Sequence, residues 1–524
     1  MNTRPTLILS LQHAELYDHP VTAFAVIETH ISWVILTGPF AYKIKKPVNL
    51  GFLDFSSLQQ RRHCCEAELR LNRRLAPQLY LDIVSITGSV EAPRLNGDGE
   101  PIEYAVRMKQ FPQALQLDKV LASGGLRPDH IDQLADTVAR FHAALPAAGP
   151  DSRFGTPETV YRPVMENFAQ IRPVLALKAD VDMAGRLESW SKNAYSRHLL
   201  AFQDRKATGF IRECHGDMHL ANMVLLDDTV TVFDCLEFSE ALRWIDVASE
   251  IAFVTMDLDD RNQRTFSARF LNRYLEHTGD YDGLRVMRFY QVYRAMVRAK
   301  VSGIRAQQDD VTATEKSDIE KLFRSYLALA EQYTRPAPAA LIITHGLSGS
   351  GKTVFSQPLL EKLGAVRIRS DVERKRLAGM GATDRAGTSP DSGLYNAASS
   401  KRTYDHLAQL ATRIIEAGFP AIVDATFLKR ESRAAFRRLA TLLDVPFVII
   451  DFHAPEQLLR QWIADRAQHG QDASDANVAV LEQQIMTQEP LTRDEGGFVI
   501  RVDTSTDVDT AMLAAAVQAR TRDP

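Results

Sequence analysis

Cysteine is nearly missing from the chain. The four present, Cys64, Cys65, Cys214 and Cys235, are too few and too irregularly spaced among 524 residues for a disulfide framework or a Cys-x-x-Cys metal site. They read as reduced, mostly buried thiols. Long apolar runs are absent as well: no window approaches the roughly 18 residues of a membrane span. The apolar run Thr6 to Leu11 carries no cleavage-site pattern, so a cytoplasmic protein without a membrane partner is expected. Neither sign of charge dominates. A formal net charge of -4 sets up no global field for nucleic acid or anionic lipid, although it leaves room for a local basic patch.

What is present is a length that predicts three or four compact units at about 150 residues each. The chain is organised around His215-Gly216-Asp217-Met218-His219-Leu220-Ala221-Asn222, followed by the apolar run Thr229 to Phe233 and then Asp234. An acceptor hydroxyl needs a carboxylate to take its proton, and ATP needs oxygen ligands that hold Mg2+ on its phosphates. Asp217 is the candidate base, with Asn222 and Asp234 as metal ligands. The segment resembles the aminoglycoside phosphotransferase family, small-molecule relatives of the protein kinases, whose loop reads H-G-D-x-H-x-x-N.

Ahead of that loop, residues 1–112 read as a small nucleotide lobe. Three strands are expected, Phe24 to Glu28, Ser32 to Leu36 and Phe40 to Lys46, with Gly38-Pro39 as a turn. Lys43, in Ala41-Tyr42-Lys43, is the candidate phosphate-binding lysine, and Lys45, on the same strand face, is the fallback. In a helix Leu58 to Leu75, Cys64, Glu68, Leu71 and Leu75 share a stripe, so Glu68 is favoured over Glu66 as the carboxylate that orients the lysine. Glu66 reads as a solvated acid. No G-x-G-x-x-G precedes the lysine strand; Glu28-Thr29-His30-Ile31-Ser32 stands there instead, a departure from protein kinases that the phosphotransferase branch shares. Tyr104 to Phe111 reads as the strand leading to the next lobe.

Residues 113–335 read as a helical catalytic lobe. Pro128 to Leu145 is amphipathic, and His142 within it reads as a structural histidine. The resemblance implies an acid at the start of a following helix that accepts catalytic-loop N–H groups; Asp246 is the candidate, with a plain helix N-cap as its alternative. Glu237 reads as a surface acid, with a metal or substrate role as the alternative. Asp257, Asp259 and Asp260 form an acidic cluster whose two readings are helix-end acids and a cationic-substrate site. Arg285, Arg288, Arg294, Arg298 and Lys300 lie on one expected helix and read as a mainly solvated basic set.

After a short linker from Tyr333 to Ala340, residues 336–524 carry a second phosphate motif. Leu341 to Thr344 reads as a buried strand, and Gly346-Leu347-Ser348-Gly349-Ser350-Gly351-Lys352-Thr353 is a complete Walker A loop opening a helix. Its backbone N–H groups converge on phosphates, Lys352 reaches the terminal ones, and Thr353 offers an oxygen to Mg2+. Two further strands end in Asp371 and Asp424. This order resembles the P-loop kinase group that includes polynucleotide kinases and zeta-type toxins. The resemblance implies Asp371 as base, Arg374 as anion clamp, Asp424 as the Walker B-like acid and Arg460 or Arg466 as a lid arginine.

The fold expected is therefore an α+β bilobal kinase-like region followed by an α/β doubly wound P-loop domain. Both halves are expected to use ATP and Mg2+ and to phosphorylate a hydroxyl of a small molecule or, alternatively, of RNA. A regulatory protein with one inactive, nucleotide-sensing site is the other alternative. Sequence fixes neither acceptor, nor the coupling of the sites, nor the oligomeric state.

Overall fold

In the computed structural model the described residues are 4–49, 51, 53–175, 177–308, 311–335, 338–382, 384, 396–469 and 474–522. They gather into two compact units, residues 1–160 with 203–254 and residues 161–202 with 255–524.

The first unit opens with β1 (Ala25–Glu28), β2 (Ser32–Leu36) and β3 (Phe40–Lys45), antiparallel neighbours in register. Gly38, at φ +100°, makes the turn before β3 that a side chain would strain. Then come β4 (Tyr80–Gly88), β5 (Pro93–Leu95) and β6 (Glu103–Lys109), completing a sheet of order β1-β2-β3-β6-β4-β5. Helix Leu58–Asn72 starts at a capping box made by Ser57 and Gln60. It stops short of the expected Leu75, the chain tightening there into three-residue turns in which the Arg74 N–H donates to the Leu71 carbonyl and the Leu75 N–H to that of Asn72. Cys65 from this helix packs with Tyr80, Val106 and Met108 of the sheet.

Beyond helix Pro128–Ala144, β7 (Ile211–Glu213) leads into the loop 215–222, and the hairpin of β8 (Met223–Leu226) and β9 (Thr229–Val232) leads out of it. Asp227 and Asp228, both at positive φ, give that hairpin the primed turn that matches strand twist. β10 (Trp244–Asp246) pairs with β7 and feeds helix Val247–Asp260.

The second unit holds a parallel sheet of β11 (Leu341–His345), β12 (Val366–Arg369), β13 (Ala421–Asp424), β14 (Phe447–His453) and β15 (Val499–Asp503), ordered β12-β13-β11-β14-β15. Every residue of the central β11 is buried, as the apolar Leu341, Ile342 and Ile343 require of a strand covered on both faces. Helix Arg264–Thr278 belongs to this unit, and its Ala268 packs against the sheet's core.

Asp257, Asp259 and Asp260 end helix Val247–Asp260, in keeping with the helix-end reading, and engage Arg261, the Tyr333 hydroxyl and the Ser325 hydroxyl respectively. One expectation for this region is corrected: the basic residues of helix Leu284–Arg305 are not mainly solvated, since Arg294 is buried and Arg288 donates to the carbonyls of Arg335 and Gly418. Pro336 and Ala337 of the expected linker lie outside the described residues. No helix among the described residues is long and apolar enough to cross a membrane.

Candidate active sites

The first candidate site forms where β3, helix Leu58–Asn72 and the segment after β9 meet. Lys43 Nζ lies 2.7 Å from Glu68 Oε1 and 2.5 Å from Asp234 Oδ1. Glu68 also holds Lys45, its Oε2 standing 2.5 Å from Nζ, and Lys45 contacts Glu237 as well. Both lysines considered for the nucleotide therefore converge on Glu68, while Glu66 pairs with Arg62 at the surface. Burial would strip the charge from Lys43, but Asp234 and Glu68 hold its pKa well above the ordinary lysine value. Burial likewise works against an ionised Glu68, and the two ammonium groups override it, bringing its pKa down to about 2. Glu237 is not the surface acid expected: it is buried, and burial pushes its carboxyl up. Its partner Lys45 lies 192 positions away in sequence, so no local signal marks it.

The loop 215–222 is fixed from beneath. Gly216, at φ +88°, must be glycine, because a Cβ there would stand 2.8 Å from the Leu242 carbonyl oxygen. Its N–H donates to Glu250 Oε1 at 2.6 Å, and the His215 N–H donates to Glu250 Oε2 at 3.0 Å. Asp246, expected in that role, instead accepts from the Ala248 N–H and pairs with buried Arg205. The loop acceptor is thus one helical turn further along, and Asp246 has the N-cap role that was its alternative. His142 Nε2 sits 3.0 Å from Glu250 Oε2, which accounts for its burial. Burial works to raise the Glu250 pKa, and His142 together with the loop N–H groups overrides it, to about 2. Burial lowers the pKa of His215, and its Nδ1 accepts from the Asp217 N–H at 3.3 Å while Nε2–H donates to the Phe233 carbonyl at 2.9 Å.

Asn222 Nδ2 donates at 3.0 Å both to the Asp217 carboxylate and to the Asp217 carbonyl. This aims the Asn222 carboxamide oxygen away from Asp217, where it is available as a ligand. Asn222 and Asp234 flank the same end of the β8–β9 hairpin, and the Phe233 N–H donates to the Asn222 carbonyl. A carboxamide oxygen beside a half-exposed carboxylate is a donor set that suits a hard divalent cation.

In the second unit the Walker loop turns at Gly346, Gly349 and Gly351, all at positive φ. A Cβ on Gly346 would stand 2.3 Å from the Phe452 carbonyl oxygen, so the close approach of β14 demands glycine. Lys352 Nζ donates to the Gly346 and Leu347 carbonyls at 3.0 and 2.7 Å, bringing the amine over the loop itself. Thr353 Oγ1 donates to Asp424 Oδ2 at 2.7 Å, so the loop threonine and the strand-end acid meet. Ser350 Oγ is buried with no hydrogen-bond partner among the described residues, a polar atom facing the loop interior that suits a phosphate.

Gly349, Gly351, Lys352, Thr353 and Asp424 line a cavity of about 1150 Å³ together with Asp371, Arg374 and Trp462. Arg374 is buried and donates to Ser400 Oγ at 3.3 Å. Arg460 is not in the lining: it pairs with Glu456 and Glu482 at the surface. The side chain of Arg466 lies outside the described residues. Sequence reasoning missed Gln484, whose Oε1 accepts from the Ser348 N–H at 2.8 Å, and Trp462. Neither belongs to a motif, and both reach the cavity from helices late in the chain.

Residues 54–290 match the Phosphotransferase enzyme family and residues 341–491 match the AAA domain. An uncharacterised protein of Mycobacterium tuberculosis is 31% identical over 468 residues, covering 88% of this chain and 91% of its own length. One of Mycobacterium bovis matches to the same extent. Among solved structures, an amicoumacin kinase in complex with AMP-PNP, Ca2+ and Ami aligns over 62% of this chain and 94% of its own, at 9% identity and a TM-score of 0.40. A gluconokinase from Sinorhizobium meliloti aligns over 35% of this chain and 92% of its own, at 21% identity and a TM-score of 0.24.

Proposed function

This chain belongs to the family of its mycobacterial relatives, a phosphotransferase domain joined to a P-loop kinase domain, and on that premise we propose that it is a bifunctional ATP-dependent phosphotransferase. Each half transfers the terminal phosphoryl group of ATP to an acceptor hydroxyl, most simply that of a small molecule. The observation that carries this reading is the convergence of Lys43, Glu68 and Asp234 in one ion-paired cluster while Asp217 is held by Asn222.

In the first half, Lys43 grips the nucleotide phosphates once a ligand draws it from Asp234, with Glu68 holding it in place. Asn222 and Asp234 are the ligands for Mg2+, which supplies charge neutralisation on the phosphates when bound. The Asp217 carboxylate accepts the proton of the acceptor hydroxyl as its oxygen attacks phosphorus, and Glu250 keeps Asp217 in position through the loop backbone. Residues 1–112 serve as the nucleotide lobe and 113–335 as the lobe that presents the base.

In the second half, residues 336–524, the N–H groups of 348–353 cradle the phosphates and Lys352 turns from the loop carbonyls to the terminal ones. Thr353 and Asp424 hold the metal, Asp371 takes the acceptor proton, and Arg374 clamps an anionic group. Arg460, engaged by two glutamates, has no part in this proposal.

The test is transfer from terminally labelled ATP into size-fractionated cell extract. The natural chain is expected to label acceptors that Asp217→Asn removes and, separately, acceptors that Lys352→Ala removes. Equal labelling by all three proteins overturns the two-site reading, and label confined to the RNA fraction redirects it to nucleic-acid hydroxyls.

A further inference from the structure

Helix Arg264–Thr278 lies inside the stretch that matches the phosphotransferase family, yet its side chains close the outer edge of the P-loop sheet. β12 is that edge, and one side of its backbone has no strand to pair with. Asn272 meets it: Nδ2 donates to the Ala365 carbonyl at 2.8 Å, and Oδ1 accepts from the Arg367 N–H at 2.7 Å.

One turn further along, the Glu276 carboxylate bridges two arginines of β12. Oε1 stands 2.9 Å from Arg369 Nη1 and Oε2 stands 3.6 Å from Arg367 Nη2. Both guanidinium groups lead to the phosphate site. Buried Arg367 donates to the Thr353 carbonyl at 3.1 Å, to Ser356 Oγ at 2.9 Å and to Gln357 Oε1 at 2.9 Å, gripping the start of the helix that follows the Walker loop. Arg369 lines the cavity beside Ser370 and Asp371. Burial lowers the Arg367 pKa, and Glu276 is the foremost charge resisting that loss.

We propose that Glu276 is a positioning residue for the P-loop reaction, a carboxylate from the upstream helix that fixes Arg369 in the cavity wall and Arg367 against the helix carrying Lys352 and Thr353. The proposal rests on the P-loop reading above. A neutral side chain at 276 leaves a buried guanidinium without its carboxylate, so the first turn beneath the phosphates loses its clamp.

The experiment is titration of the full chain with a fluorescent Mg·ADP analogue well below its melting temperature, where the binding abolished by Lys352→Ala defines the site. Glu276→Gln is expected to raise the dissociation constant of that binding about tenfold, and Glu276→Asp, which keeps the charge, to restore it to within about threefold. Arg369→Gln is expected to weaken binding as well, and the pair together no more than the stronger single change. A merely structural role lowers the melting temperature and leaves these constants alone. Lys352-dependent binding that Glu276→Gln leaves within about twofold overturns the proposal, and if that variant does not fold, unchanged binding in Arg369→Gln does so. Absence of any Lys352-dependent binding in the natural chain overturns the P-loop reading, and this proposal with it.

Discussion

At the scale of single residues, the first site is held by carboxylates that stay ionised although buried. Glu250 is the sharpest case, because its two oxygens serve the N–H groups of His215 and Gly216. In Glu250→Gln one of those N–H groups would face an amide NH2, and an unpaired buried donor costs about 1–3 kcal/mol. Displacement of the loop by as little as about 1 Å is expected to slow Asp217-dependent transfer about a hundredfold, with Lys352-dependent transfer unchanged; labelled-ATP assays in the two single-site backgrounds check this. Acid stability follows the same groups. Glu68 and Glu250 have folded pKa values of about 2, below the ordinary 4.5, so their stabilisation is complete above about pH 4.5 and fades as pH falls toward 2. Asp259 runs the other way. Burial raises its pKa from 3.8 to about 6 against the Tyr333 hydrogen bond, so stability is lost as pH rises between those values. Melting curves from pH 3 to 8 should show Asp259→Asn raising the melting temperature by a few degrees above pH 6 and removing that decline.

These residues also mark how far sequence alone reaches. Asp217, Asn222 and Asp234 were legible because a catalytic loop is local: its spacing is its geometry. Glu68 was legible through helical period, which settles which face a side chain takes. Glu250 was not, since Asp246 and Glu250 are one turn apart and only the packing of the helix beneath the loop decides which acid meets its N–H groups. Glu237 was misread for a related reason, because a buried acid is tolerable only with a partner such as Lys45 that folding brings from afar.

At the scale of elements, the sheet edges carry most of what sequence did not disclose. β1, β2, β3, β6, β9, β11, β12 and β13 were expected to within a residue or two, for turn residues and apolar runs announce them, whereas β4, β5, β7, β8, β10, β14 and β15 were not expected. What covers β12 was not, because an asparagine in mid-helix has no pattern. Asn272→Ala removes both hydrogen bonds to the edge and leaves the Ala365 carbonyl and Arg367 N–H without them. At about 1 kcal/mol for each bond, plus the cost of unpaired buried groups, a loss of about 2–4 kcal/mol is expected. Denaturant unfolding followed by Trp462 fluorescence reports on this, as Trp462 lines the cavity. A midpoint equal to that of the natural chain would mean that water serves the edge equally well.

At the scale of the whole molecule, the second compact unit begins well before the Walker motif, since residues 161–202 and 255–335 are gathered with the P-loop sheet. Helix Arg264–Thr278 supplies Ala268 to the sheet's core, Asn272 to its edge and Glu276 to two arginines, while Arg269 pairs with Glu361 at 2.8 Å. A fragment starting at residue 336 would expose apolar core, open an edge strand to pairing with other chains and leave buried Arg367 without its carboxylate. Such a fragment is expected to melt at least about 10 °C lower than the P-loop transition of the full chain, or to aggregate, and to bind Mg·ADP weakly. A fragment starting at residue 255 restores all four contacts and is expected to recover a cooperative melt and the binding. Equal stability of the two fragments by circular dichroism would show that the upstream helices only accompany the P-loop fold, and that its phosphate site is complete without them.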